Sequence, residues 1–207
     1  VLGQFLVAVS ALFFVVDPIG VVPIFLAMTQ GDSQEKVRRT ALRACTAACL
    51  LIVFFSLFGT LIFQVFGVSL AAFRVAGGLL LMLTALDMLR ARTSETRSTP
   101  GETQEGSAKE DVALVPLAIP LLAGPGAIAT VMVLMARGGS PMAALPVLAA
   151  VVLVFVSAYL ILRGATYVQR VLGQTGVAVL ERVMGLILAA IAVQFIADGA
   201  RDLLRAA

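Results

Sequence analysis

Asp17 is the charged residue whose position could do chemistry. It is the only charged group in the first 31 positions, with about 13 apolar or small residues on either side, and Pro18 and Gly20 follow it directly. A carboxylate at the centre of a membrane span costs at least about 2.5–3.5 kcal/mol on insertion scales. Two uses for it stand side by side. Asp before Pro is the ordinary N-cap and first-turn pair, which restarts a helix after a break. The same carboxylate, facing a central cavity, meets a substrate ammonium group or takes up a coupling proton. A second break, Gly124-Pro125-Gly126-Ala127, carries no carboxylate. The backbone N–H groups following the Gly124-Pro125-Gly126 turn form the positive end of a half-helix, suited to an anion such as a substrate carboxylate. One carboxylate and one half-helix end together suit a zwitterion. Thr130 lies one turn beyond the second break, so the candidate substrate-binding set is Asp17, Pro18, Gly20, Gly124, Pro125, Gly126 and Thr130.

Other chemistry is excluded by what the chain lacks. With no histidine and no tryptophan, His-based general bases, Ser-His-Asp triads and nearly every zinc or haem ligand set disappear. An enzyme is not expected, nor a resident metal or cofactor. Cys45 and Cys49 stand four apart in one apolar stretch, a spacing that stacks them on one helix face and staples nothing distant. No Walker A loop is present, so ATP is not the driver within this chain.

The elements that must hold these residues are apolar. Of 207 residues, 60% are hydrophobic and 13% charged, and the mean hydropathy is +1.05, whereas a soluble domain is roughly 45–50% apolar. Uncharged windows run near residues 4–29, 44–66, 72–90, 112–136, 141–163 and 180–200, each long enough for about 30 Å of hydrocarbon. Backbone groups in hydrocarbon must pair within the segment, and no period-2 alternation of barrel type occurs, so the fold class is all-α with six transmembrane helices. The opening residues show no basic region ahead of the apolar run, so no cleaved signal peptide is expected within them.

An even number of spans puts both termini on one side. Eleven basic residues then fall on one face, from Lys36 to Arg43, Arg90 to Lys109 and Arg163 to Arg182, against four on the other, Arg74, Arg137, Arg201 and Arg205. The positive-inside rule makes the first face cytoplasmic and places both termini outside. The net charge of +3 is thereby read as a topology signal, and nucleic acid is not a partner. Residues 91–111 are polar, mixed in charge and rich in Ser, Thr, Gly and Pro, the composition of a flexible cytoplasmic linker. It divides the chain into units at 1–90 and 112–207.

The two units resemble each other. Arg74-Val75-Ala76-Gly77 recurs as Arg182-Val183-Met184-Gly185 at an offset of 108, and Pro18 and Pro125 differ by 107. Three spans per unit is an odd number, so tandem copies enter the membrane from opposite sides and form an inverted repeat. The first and fourth spans are both interrupted, by Pro18, Gly20 and Pro23 and by Pro116, Pro120, Gly124, Pro125 and Gly126. Proline removes a helical hydrogen bond and glycine frees the backbone. A break at membrane depth persists only where it packs in protein or lines a cavity, and corresponding breaks in inverted halves point to a transport site.

Other polar residues within spans, Thr29, Ser56, Thr84, Thr130 and Ser157, are of the type that bonds back to its own helix. Gln194, with Asp198 a turn on, reads as a helix-packing hydrogen bond in preference to a substrate contact, and Glu181-Arg182 as a helix start. Gly77, Gly78 and Gly185 read as sites of close helix packing.

Asp17-Pro18-Ile19-Gly20 with Pro23, the run Pro116 to Ala127, and Leu180-Glu181-Arg182-Val183-Met184-Gly185-Leu186-Ile187-Leu188 together resemble the MarC family of bacterial and archaeal integral membrane proteins, over nearly the whole chain. Members often carry Asn or Asp ahead of the first Pro-x-Gly, and Asp17 fits. The resemblance implies a six-span protein of the bacterial inner membrane, and transport of small neutral amino acids such as glycine or alanine, an activity attributed to some relatives. The expected function is therefore a secondary transporter or exporter of such solutes, with alternating access around the two breaks. Its partners would be the solute and membrane lipids. Proton or sodium coupling and self-association are left open. A membrane scaffold or regulatory protein that transports nothing is the competing reading.

Overall fold

A computed structural model describes residues 2–90, 117–118, 121–136 and 141–206. Among these residues all regular structure is helical: seven α-helices, α1 (Leu2–Val16), α2 (Val21–Met28), α3 (Gln34–Phe66), α4 (Leu70–Leu89), α5 (Pro125–Ala136), α6 (Pro141–Arg163) and α7 (Ala165–Ala206), and π-helical residues at 117–118 and 121–122. Four of them, α3, α4, α6 and α7, are long and apolar enough to cross a membrane singly, and α1 with α2, bent by 48° at their junction, are apolar enough together to form a broken span or a re-entrant loop. The fourth expected span is only partly described. Its C-terminal part, α5, rises about 18 Å over its length, short of the hydrocarbon thickness, and Pro116 and Pro120 lie outside the described residues, as do residues 91–111.

Local chemistry sets the ends. Ser33 caps α3 by accepting from Lys36 N at 3.3 Å, and Ser69 caps α4 by accepting from Ala72 N at 3.1 Å. These caps satisfy amides that have no intrahelical acceptor. α3 stops at Gly67, whose φ of 63° is left-handed, and Val68 N then donates to Phe63 O at 3.0 Å in the manner of a Schellman cap. Two helices overrun the windows expected for them. α3, with 33 residues, is about 50 Å long, so its charged first turns extend beyond the hydrocarbon. α7 runs 42 residues and is kinked at Gly173, where φ 64° and ψ 178° are not helical. Glu181 and Arg182 therefore sit inside a helix rather than at its start, because the chain re-enters helix at Ala165 and resumes after Gly173.

α4 packs antiparallel against the C-terminal half of α7, and glycine makes the approach. A Cβ added at Gly199 would lie 2.7 Å from Ala71 O, one at Gly78 would lie 2.9 Å from Ala192 O, and one at Gly185 would lie 3.1 Å from Ala85 O. Small residues bring helix backbones together in this way in membranes, where hydrophobic burial supplies little drive. Gly77 does the same toward Ala129 of α5. At one end, Arg74 Nη1 donates to Asp202 Oδ2 at 2.6 Å.

The remaining packing runs across the chain rather than within its first half. α1 rests on α6, α5 and α7, and α3 rests on α6 and α5. α4 also contacts α5, and α2 contacts α7. The centre of the bundle is filled by Leu12, Phe25, Ile52, Leu81, Leu122 and Leu188, all fully buried.

Candidate functional site

The first break is built by Asp17. Its φ of 48° puts a non-glycine residue in the left-handed region, a conformation Asp and Asn tolerate better than most because their short polar side chains bond locally. Asp17 N still closes α1 by donating to Phe13 O at 2.9 Å, while Val21 N donates to Asp17 O at 3.3 Å. The carboxylate turns forward, and Oδ1 accepts from Gly20 N at 3.1 Å. Gly20 must lack a side chain, since a Cβ there would lie 2.2 Å from Asp17 Oδ2. Asp17 is 2% exposed and Pro18 is also buried. Pro23 falls in the first turn of α2, where its missing N–H costs no helical bond.

At the second break, Ala127 N and Ile128 N both donate to Gly124 O, at 2.9 and 3.1 Å. Gly124 and Gly126 are half-buried, and Pro125 between them is exposed. These three line a small cavity, of about 20 Å³, together with Val15, Leu80, Thr84, Leu121 and Ala127. A space of that size admits a single water. The two breaks are neighbours: a Cβ on Gly126 would stand 3.5 Å from Val15 Cγ1, two residues before Asp17, and 3.0 Å from Leu81 Cδ2.

The expected site residues therefore divide. Gly124, Pro125 and Gly126 share the cavity, Asp17, Pro18 and Gly20 form the turn beside it, and Thr130 stands behind it. Thr130 is fully buried and donates to Gly126 O at 2.8 Å. Thr29, Ser56, Thr84 and Ser157 likewise donate to carbonyls of their own helices. Of these, Thr84 lines the cavity, as do Val15 and Leu80, which sequence reasoning did not single out. The only sequence sign is weak: Leu80 and Thr84 are i and i+4, on one face of the helix that carries Gly77. Among the described residues no cluster of three His, Cys, Asp or Glu side chains could hold a metal ion.

The family model for MarC family integral membrane proteins matches residues 2–204. This chain belongs to the MarC family. It is 39% identical over 203 residues to a UPF0056 membrane protein of Methanocaldococcus jannaschii, covering 98% of both chains. To a UPF0056 membrane protein of Aquifex aeolicus it is 35% identical, covering 97% of this chain and 94% of the relative. To the UPF0056 membrane protein YhcE of Escherichia coli it is 36% identical, covering 93% of this chain and 89% of the relative. No solved structure matches the chain. The MarC family chain is thus an integral membrane protein, and both breaks fall within the matched span.

Proposed function

We propose that the protein is a secondary transporter of small neutral amino acids or similar solutes, working by alternating access around the two helix breaks. The observation that carries this reading is the meeting of the breaks. Gly126 of one packs on Val15, two residues from Asp17 of the other. Irregular backbone in a membrane interior persists where it is packed or lines a cavity, and a binding site at paired breaks is the architecture of many secondary transporters. The packing also supports a two-fold relation between halves. α1 on α6 is answered by α3 on α5, and α4 on α5 is answered by α7 on α1 and α2. α4 pairs with α7, and α3 pairs with α6, like with like. On this reading the chain is an inverted repeat of six spans in the bacterial inner membrane, with both termini outside the cytoplasm.

A cavity of about 20 Å³ is too small for an amino acid, so the conformation described is a closed one. Solute entry requires Gly124–Gly126 to part from Val15 and from Leu80 and Thr84. Pro125 has no N–H and Ala127 N donates to Gly124 O, so the half-helix end would then offer the solute carboxylate the Gly126 N–H, and Asp17 would take the ammonium group or a coupling proton. The test is flux of radiolabelled glycine and alanine into proteoliposomes, with proton and sodium gradients imposed separately and empty vesicles alongside. Saturable flux that follows one gradient is expected. Folded protein that moves neither solute under any gradient would overturn the assignment of these substrates and favour the scaffold reading.

A further inference from the structure

Gln194 is an exposed side chain at the depth where a membrane offers it no water. Gly78 of α4 is level with Ala192 and Ile196 of α7, so Gln194 stands opposite Gly78. α4 runs from Leu70 to Leu89, which puts Gln194 within about 3 Å of the middle of the span at 1.5 Å rise per residue. Yet it faces outward from the bundle. Its Nε2 donates to Asp198 Oδ1 at 2.8 Å, which uses one of the two amide hydrogens; the carboxamide also carries an acceptor oxygen. Lipid tails cannot bond such a group, and polar side chains at this depth are characteristically covered by protein.

The surface around it has the form of a helix seam. Val183, Ile187, Ala190, Gln194 and Ala197 are all exposed on α7 at spacings of four, three, four and three, the a/d repeat by which helices pair. Beside this stripe lies an open apolar groove of about 370 Å³ between α1, α5 and α7, lined by Leu6, Val7, Ser10, Leu134, Gln194 and Phe195. We infer that this face binds a second copy of the chain, α7 against α7, about a two-fold axis along the membrane normal. Two copies inserted in the same orientation hold Gln194 at the same depth. A carboxamide is both donor and acceptor, so the face is self-complementary, as an isologous contact requires. A single polar residue within an apolar seam fixes register and partner number. The partner's side chains fill the groove beside Ser10.

The inference does not rest on the transport reading, and cross-linking reads it without any flux measurement. In a background with Cys45→Ala and Cys49→Ala, Ala190→Cys and Ala197→Cys test the seam, while Leu57→Cys on α3 and Leu153→Cys on α6 are exposed controls. Oxidation in native membranes should give disulfide-linked dimer from the two seam positions severalfold above the controls. The unmodified chain in lipid nanodiscs should show a dimer mass, reduced by Gln194→Leu and largely kept by Gln194→Asn. Cross-linking equal at all four positions, or a folded monomer carrying only lipid in nanodiscs, would overturn the inference.

Discussion

Arg74 and Asp202 are 128 residues apart in sequence and 2.6 Å apart in space. Their pairing closes one end of the α4–α7 contact, and its two members are unequally placed: the Arg74 side chain is 13% exposed and that of Asp202 43%. Arg74 Nε is buried without a hydrogen-bond partner, so the guanidinium depends heavily on this one carboxylate.

An asymmetric response to truncation follows. Asp202→Ala leaves a largely buried cation uncompensated and should cost about 2 kcal/mol, below the range for a fully buried pair because Asp202 itself is partly screened by solvent. Arg74→Ala leaves a carboxylate that can reach water or headgroups and should cost about 1 kcal/mol. The double variant should be less damaging than the sum of the two. Unfolding in detergent, followed as a double-mutant cycle, measures all three; equal single costs with simple additivity would contradict the account.

Two closely packed glycines should respond differently to a methyl group. At Gly78 the added Cβ meets backbone, Ala192 O at 2.9 Å and Ile196 N at 3.1 Å, and backbone yields only if the helices separate. Gly78→Ala should therefore cost about 1–3 kcal/mol, typical of overpacking. At Gly126 the nearest atom is the terminal Leu81 Cδ2 at 3.0 Å, a methyl that has to give by only a few tenths of an ångström. Gly126→Ala should fold nearly normally but intrude on the cavity, and Gly126→Val should fill it. Measured together, the two sites separate packing from function: Gly78→Ala lowers thermal stability, whereas Gly126→Val lowers solute flux in protein that remains folded.

How far the sequence reached depends on what kind of signal each feature leaves. Breaks are written locally, in Pro, Gly and Asp, so the turn at Asp17–Gly20 and the start of α5 at Pro125 could be read directly. Close-packing glycines were legible for the same reason. Helix faces were not. In a span that is apolar all round, periodicity does not separate the side toward protein from the side toward lipid. The sequence therefore does not rank Val15 as a cavity residue above its neighbours, and marks Leu80 and Thr84 only by their i, i+4 spacing on the helix that carries Gly77. The partnership of Arg74 with Asp202 joins residues 128 apart and leaves no local mark. α7 was undercounted because the apolar window covers the part within hydrocarbon, while the helix continues through the polar ends on both sides.

The cross-chain packing predicts that neither half folds alone. α1 and α3 rest chiefly on α5 and α6, and α4 on α7, so a fragment ending before residue 91 lacks the partners of all its long helices. Expressed separately, fragments 1–100 and 101–207 should each be degraded or aggregate in the membrane. Expressed together they should associate and recover the protease resistance of the intact chain. A stable, protease-resistant first fragment on its own would show that its helices pack on one another more than the bundle indicates.

The turn at the first break predicts an order of substitutions at Asp17. Two features must be kept, a left-handed backbone with φ 48° and a side-chain oxygen that accepts from Gly20 N at 3.1 Å. Asn keeps both, so Asp17→Asn should fold like the unmodified protein. Gly keeps the conformation and loses the acceptor. Ala loses both, and should cost about 1 kcal/mol for the cap and about 1–2 kcal/mol for the conformation. Thermal stability should therefore fall in the order Asp, Asn, Gly, Ala, with the first two close together. Gly20→Ala should resemble Asp17→Ala, because its Cβ would lie 2.2 Å from Asp17 Oδ2 and expel the carboxylate from the cap. Adding Asp17→Gly to Gly20→Ala should then cost little more. Against this structural background, flux through Asp17→Asn becomes decisive for the charge. Transport that persists but no longer follows the proton gradient assigns the coupling proton to this carboxylate. Transport that stays fully proton-coupled restricts Asp17 to holding the turn.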